Sequence, residues 1–91
     1  MIAKRLLISG RVVGVGYRDW MVERAEELGV DGWVRNRTDG RVEALVCGDT
    51  AAVEELARLC RRGPRFASVT DIEETIAEPC SEPGFRRVVS V

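Results

Sequence analysis

The sequence predicts an α+β fold in which a small antiparallel β-sheet carries two α-helices on one face. The chain has 91 residues, which is the size of one small domain. Its 45% hydrophobic and 32% charged residues are a normal mixture for a globular protein. Segments with strand periodicity and segments with helical periodicity follow one another in the order β-α-β-β-α-β, with one more short strand at the end.

Strand alternation, a glycine-rich break and a helical repeat succeed one another in the first third of the chain. Ile2–Val12 alternates as a strand with one well-buried face, and Gly10–Arg18 then interrupts the alternation with three glycines. Apolar residues recur at helical spacing over Arg18–Leu28, and Gly29 is typical of the position just after a helix. Asp31–Asn36 is then a short strand.

The middle of the chain predicts a hairpin and a second helix. Thr38–Gly40 is a tight-turn signal, and Arg41–Cys47 alternates again, so this strand pairs with the strand before it. Asp49 or Thr50 caps the second helix, whose apolar residues repeat with helical spacing. The helix ends before Gly63, which is followed by a proline.

Two further strands complete the predicted sheet. Ala67–Ile76 is rich in β-branched residues, and Phe85–Val91 follows after a loop. This order is that of a ferredoxin-like βαββαβ sandwich, with an antiparallel sheet of strand order 4-1-3-2 and both helices on one face. The first two strands then end at the same edge, so the loop before Arg18 and the strand end at Asn36 lie about 10 Å apart.

Charge and composition exclude several classes of function. The chain has 14 basic and 15 acidic residues, and a net charge of −1 argues against nucleic acid or a membrane surface as a partner. It has no histidine, which excludes Ser–His and Cys–His nucleophiles and imidazole zinc sites. Cys47, Cys60 and Cys80 have no metal-binding or redox spacing, and we interpret them as thiols of a reducing, cytoplasmic compartment.

The glycine-rich loop is the strongest candidate for a binding site. Gly14 and Gly16 allow backbone N–H groups to converge on an anion at the start of a helix, where Arg18 can bind two phosphate oxygens. The dinucleotide-binding pattern is excluded because Asp19 stands where a third glycine is needed. The loop also lacks a Walker lysine and a nucleophilic cysteine, so hydrolysis here would use water directly. Two structural interpretations stay open. The glycines could simply shape a turn beside a solvated Arg18, and Asn36 could be an ordinary turn residue at the end of a strand.

Five segments in succession, covering nearly the whole chain, resemble the acylphosphatase family. They are Gly10–Arg18, Ala25–Gly29, Gly32–Asn36, Asp39–Glu43 and Gly63–Val69. The resemblance implies one acylphosphatase-like domain over residues 1–91 with a ferredoxin-like fold. It also implies hydrolysis of carboxyl–phosphate mixed anhydrides to a carboxylate and orthophosphate, without metal, cofactor or phosphoenzyme.

The resemblance further implies roles for individual residues. Arg18 would bind the phosphoryl group, and Asn36 would orient the attacking water. The phosphate-binding loop would consist of Val13, Gly14, Val15, Gly16, Tyr17 and Arg18. Many family members have glutamine where this chain has Val13. We accordingly expect a small-molecule acyl phosphate as substrate, inorganic phosphate as product, no nucleic-acid or membrane partner, and a monomer.

Functions of other classes remain alternatives. A non-catalytic phosphate-binding regulatory domain would need the loop and Arg18, but it would not need Asn36. An RNA-binding domain of the same fold would expose aromatic residues on its central strands, and Arg41–Cys47 has none. A domain of a larger maturation enzyme is disfavoured because the chain begins with Met1 and ends after a complete fold.

Several other conspicuous side chains are expected to have structural roles and not to bind a ligand. Tyr17 and Trp33 are expected to pack at the ends of a helix and a strand rather than to stack on a ligand. Cys60 lies on the apolar face of the second helix and is assigned to the core. Asp19 is assigned, with the neighbouring glutamates, to a solvated helix face.

Overall fold

A computed structural model describes residues 1–91 and contains five strands and two helices. They are β1 (Ile2–Arg11), α1 (Tyr17–Leu28), β2 (Asp31–Asn36), β3 (Val42–Gly48), α2 (Thr50–Arg62), β4 (Ser68–Ile76) and β5 (Phe85–Arg87). The sequence predicted every element and its type, and the bounds agree within one residue except at the last strand. Asp49 is the residue before α2, and Gly63 follows its end. Neither helix has the length and apolar character needed to span a membrane.

The strand order of the sheet is β4-β1-β3-β2-β5, which confirms the predicted order 4-1-3-2 and adds β5 parallel to β2. β3 is antiparallel to both β1 and β2. Its Val42 pairs with Ile8 on one side and with Asn36 on the other. The ends of β1 and β2 therefore lie at the same edge of the sheet, and this edge is where the glycine-rich loop begins.

The hydrophobic core lies between the sheet and the two helices. Alternate residues of the strands meet the apolar faces of α1 and α2, as their periodicities require. Its most deeply buried members include Leu6, Ile8, Tyr17, Met21, Ala25, Val34, Val42, Ala44, Val46, Val53, Leu56 and Cys60. The prediction for Cys60 is confirmed, and burial raises the pKa of its thiol to about 12. Cys60 is therefore an unreactive apolar residue.

The last strand is shorter than predicted, because β5 ends at Arg87 rather than at Val91. Val89 is 83% exposed and Val91 is 47% exposed, so the apolar residues at the end of the chain do not form the buried face that a longer strand would need. The segment nevertheless follows β2: the N–H of Val88 donates to the carbonyl of Val34 at 3.0 Å, and that of Val91 to the carbonyl of Asn36 at 3.1 Å. The end of the chain thus holds the backbone of Asn36 from the sheet edge.

A disulfide joins Cys47 and Cys80, so the interpretation of these two residues as free thiols was wrong. Their Cα atoms are 6.0 Å apart, although 33 positions separate them along the chain. Cys80 belongs to the connection from β4 to β5, which crosses the sheet from one edge to the other, and Cys47 lies on the central strand β3. No local spacing marks such a pair. A cytoplasmic location stays a prediction, without the support of these thiols.

The helix-free face of the sheet holds a buried carboxylate, that of Glu43 on β3, which is 3% exposed. It accepts hydrogen bonds from Arg5 Nε at 2.5 Å, Arg35 Nε at 2.9 Å and Arg37 Nη1 at 3.3 Å. Burial raises the pKa of Glu43, but the hydrogen bonds from Arg35 and Arg5 outweigh it, so the net pKa is lowered. One carboxylate thereby links β1 to the β2–β3 hairpin.

We predict that reduction of the disulfide lowers the free energy of unfolding. The other end of the sheet, where β1 and β2 end, should stay intact. In the loop-entropy model, a bridge closing a loop of about 30 residues contributes roughly 3–4 kcal/mol to the free energy of unfolding. Urea unfolding with and without a thiol reductant measures this difference. The Cys47→Ser/Cys80→Ser variant, which keeps Cys60, is the control and should not respond to the reductant. An unchanged wild-type midpoint in reductant would contradict the role assigned to the bridge.

We predict that Glu43→Gln lowers the free energy of unfolding by about 1.5–3 kcal/mol near pH 7, the range for hydrogen bonds to a charged group. Because the folded-state pKa of Glu43 is lowered, its contribution is full above the unfolded-state value and is lost as pH falls through the folded-state value. The difference from wild type should therefore shrink in acid. Urea unfolding at several pH values checks this, with the exposed Glu23→Gln as control. A difference that persists unchanged in acid would refute the electrostatic explanation.

Candidate active site

An open pocket of about 90 Å³ lies at the edge of the sheet where β1 and β2 end. Its lining residues are Val12, Gly14, Gly16, Tyr17, Arg18, Asp19, Asn36 and Arg87. The structure thus brings together Arg18, Asn36 and the two glycines, which the sequence analysis had placed at a common site. The side chains of Val13 and Val15 do not line the pocket, and Val13 is 46% exposed. Only the backbone of those two residues is available to a ligand in the pocket.

Two glycines in left-handed conformations shape the loop between β1 and α1. Gly14 has φ +79° and Gly16 has φ +77°, a region that side chains with a Cβ rarely adopt. A Cβ at either position would meet no atom within 4 Å, so the requirement is for the conformation and not for space. Val12 and Tyr17, each 1% exposed, anchor the two ends of the loop in the core.

The loop and the first turn of α1 present a run of unpaired backbone donors. None of the N–H groups from Val13 to Asp19 donates a hydrogen bond within the protein, and the first that does is Trp20, to the carbonyl of Gly16 at 3.0 Å. Gly16 is the N-cap residue, and no side chain caps this helix. The exposed donors and the positive end of the helix dipole therefore both favour an anion at this point.

The two predicted side chains of the site are free of competing partners. Arg18 makes no ion pair or hydrogen bond to any other side chain, although nine of the chain's arginines form ion pairs with carboxylates. The amide oxygen Oδ1 of Asn36 is buried without a hydrogen-bond partner. Since a buried polar atom without a partner is costly, Asn36 Oδ1 is suited to accept a hydrogen bond from a ligand or water, and the half-buried guanidinium of Arg18 is free to bind an anion.

Tyr17 fixes the end of the loop against the second helix. Its hydroxyl donates a hydrogen bond to the carbonyl oxygen of Cys60 at 2.6 Å, and its ring lies 5.4 Å from that of Trp20. Burial raises the pKa of Tyr17 well above its usual value, so the phenol stays neutral. The prediction that Tyr17 packs in the core is confirmed. Trp33 lies outside the pocket, with the guanidinium of Arg35 4.7 Å from its ring centre.

The sequence analysis missed three residues that line the pocket. They are Val12, which belongs to the core, and the ion pair of Asp19 and Arg87, with Arg87 Nη1 2.6 Å from Asp19 Oδ1. The side chain of Asp19 is 70% exposed, as expected for a solvated helix face. Its position at the pocket was not predicted. No sequence signal connects the two residues, since 68 positions separate them.

Comparison with known proteins identifies the family. Residues 4–87 match the family model of acylphosphatase. The chain is 69% identical, over 93% of each chain, to an acylphosphatase of Acidiphilium cryptum. The chain belongs to the acylphosphatase family. It is also 51% identical to an acylphosphatase of Rhodospirillum rubrum, over 92% of each chain.

Solved structures agree with this assignment. The crystal structure of an acylphosphatase from Bacillus subtilis superimposes with a TM-score of 0.91 at 36% identity, covering 97% of this chain and 99% of that one. The predicted ferredoxin-like fold and the predicted enzyme class are confirmed. This chain is thus an enzyme that cleaves a small-molecule acyl phosphate into a carboxylate and orthophosphate. This decides against the RNA-binding domain and the purely regulatory domain.

We predict that Gly16→Ala weakens orthophosphate binding at least about threefold and lowers stability by roughly 1–2 kcal/mol, since an alanine in the left-handed region is strained. Gly29→Ala is the matched control, because Gly29 ends the same helix with φ +71° and also has open space around it. It should lose similar stability and keep its phosphate affinity. Calorimetric titration with orthophosphate and urea unfolding give both quantities. Equal phosphate affinities in the two variants would rule out a role for the loop conformation in binding.

Proposed function

We propose that Arg18, Asn36 and the backbone N–H groups from Val13 to Arg18 carry out the acyl phosphate hydrolysis. One observation supports this most strongly. The N–H groups of the loop, the guanidinium of Arg18 and the amide of Asn36 are all without partners, and Gly14, Gly16, Arg18 and Asn36 line one pocket. A phosphate dianion offers acceptors to the loop N–H groups and to the Arg18 guanidinium, and a water molecule can donate to Asn36 Oδ1.

In this proposal the loop and Arg18 bind the phosphoryl group. The N–H groups hold its oxygens at the positive end of α1, and the Arg18 guanidinium adds two parallel hydrogen bonds. Phosphoryl transfer passes through a loose transition state, in which charge is spread over the equatorial oxygens. Donors that are already in place stabilise that charge without reorganisation. Arg18 is thus a catalytic residue as well as a binding residue.

Asn36 supplies the second function, the orientation of the attacking water. Its backbone is held on one side by β3 and on the other by Val91, so its amide has a defined position at the pocket. An amide cannot accept a proton at neutral pH, and the one carboxylate at the pocket, that of Asp19, is paired with Arg87. We therefore assign the water's proton to an oxygen of the substrate phosphate.

The chemistry demands little more of the protein. The carboxylate that leaves an acyl phosphate is a good leaving group, so strong acid catalysis is not needed, and positioning carries most of the rate enhancement. The positive charge comes from Arg18 and the helix end, which supports hydrolysis without a metal ion or cofactor.

The test is hydrolysis of benzoyl phosphate in excess chelator by wild type, Arg18→Ala, Arg18→Lys and Asn36→Ala. We expect chelator-resistant activity in the wild type. Arg18→Ala should lose measurable activity and phosphate affinity, and Arg18→Lys should fail as well, because a point charge does not replace the guanidinium fork. Asn36→Ala should lower kcat by about 100-fold or more with little change in KM, as for loss of a transition-state contact.

Arg65→Ala is the matched control, because Arg65 is exposed and, like Arg18, has no acidic partner. It should retain wild-type kcat and KM. Near-wild-type turnover by the Arg18→Ala or Asn36→Ala variant would overturn the role of that residue. Activity that disappears in chelator and returns with added metal would overturn hydrolysis without metal.

A further inference from the structure

Asp19 occupies a position from which it can compete with the substrate. Gly16 is the N-cap of α1, so Asp19 is the third helical residue. In a capping box, the side chain at this position reaches back to the N–H of the N-cap residue. Here that N–H belongs to Gly16, one of the donors to which we assign the phosphate. A carboxylate turned towards Gly16 would both occupy this donor and repel a phosphate dianion beside Arg18.

The structure shows this carboxylate turned elsewhere. No side chain caps α1, and Asp19 Oδ1 instead accepts a hydrogen bond from Arg87 Nη1 at 2.6 Å. Arg87 is the last residue of β5, where it pairs with Val34 on the parallel strand β2. β5 thus approaches the pocket from the sheet edge, on the same strand pair as Asn36. Arg87 lines the pocket beside Arg18 and Asn36.

We propose that Arg87 is a positioning residue of the phosphate site, which acts by holding the carboxylate of Asp19 away from the N–H of Gly16. This inference rests on the assignment of the phosphate to the loop in the proposed function. Arg87 also sets the charge of the pocket, because Arg18, Asp19 and Arg87 together carry one positive charge. Without Arg87, the charges of Arg18 and Asp19 cancel, and the pocket attracts a dianion less strongly.

The surroundings of the ion pair separate this role from a structural one. Neither Arg87 nor Asp19 has another side-chain hydrogen bond or ion pair, and their side chains are 43% and 70% exposed. An ion pair as exposed as this contributes little to stability. Removing Arg87 should therefore leave the fold intact and change the site alone.

The experiment measures binding of orthophosphate by calorimetry and hydrolysis of benzoyl phosphate for wild type, for Arg87→Ala and for a variant that lacks both partners of the ion pair. Arg87→Ala should weaken orthophosphate binding and raise KM about three- to tenfold, the scale of one helix-terminus charge interaction, with kcat within about twofold of wild type. The deficit should shrink as ionic strength rises, because salt screens exposed charges. Thermal unfolding should place the variant near wild type.

The second variant is Asp19→Ala/Arg87→Ala. With the competing carboxylate gone, Arg87 has no further task, so orthophosphate affinity and KM should return to within about twofold of wild type. Arg86→Ala is the matched control, because Arg86 is the neighbouring residue of β5 and pairs with Glu82 outside the pocket. It should change neither quantity.

Two results would overturn the inference. Unchanged affinity in Arg87→Ala would mean that the ion pair does not affect the site. A loss that the Asp19→Ala/Arg87→Ala variant does not recover would mean that Arg87 binds the phosphate itself. Failure of the proposed function has a different signature, namely an Arg18→Ala variant that still binds orthophosphate as wild type does. The titration needs no turnover, so the two outcomes remain distinguishable.

Discussion

The site depends on one constraint, the unsatisfied backbone donors where α1 begins. A helix normally covers its first N–H groups with a capping side chain, but Gly16 has none, and its left-handed conformation favours a glycine. The donors from Val13 to Asp19 are consequently left for a ligand. The loop is anchored at both ends. Val12 is buried in the core before it, and the hydroxyl of Tyr17 after it donates a hydrogen bond to the Cys60 carbonyl of α2.

The sheet brings the second half of the site to this loop. Because β3 is antiparallel to both β1 and β2, those two strands end at the same end of the sheet. Val42 of β3 pairs with Ile8 of β1 on one side and with Asn36 of β2 on the other. The chain's own end then secures Asn36, through the N–H of Val91. The disulfide and the Glu43 network lie elsewhere on the sheet, so they stabilise the scaffold without entering the pocket.

The fold and the main site residues could be predicted because both leave local signals. The periodicity of each segment indicates which of its faces is buried. Gly14 and Gly16 indicate a loop whose backbone needs positive φ. Arg87 and the Cys47–Cys80 pair leave no such signal, because their partners are distant in the chain and meet only through the sheet topology. The end of β5 was misjudged because apolar residues such as Val89 were assigned to a strand, whereas Val89 is exposed.

The most direct test of the account is an NMR titration of the ¹⁵N-labelled protein with orthophosphate, following every backbone amide. The account predicts that the amides from Val13 to Arg18 shift together, with one dissociation constant, because they are the donors to the bound anion. The side-chain amide of Asn36 should move in the same titration. Shifts confined to another surface, such as the arginines at the end of α2, with the loop amides unmoved, would contradict it.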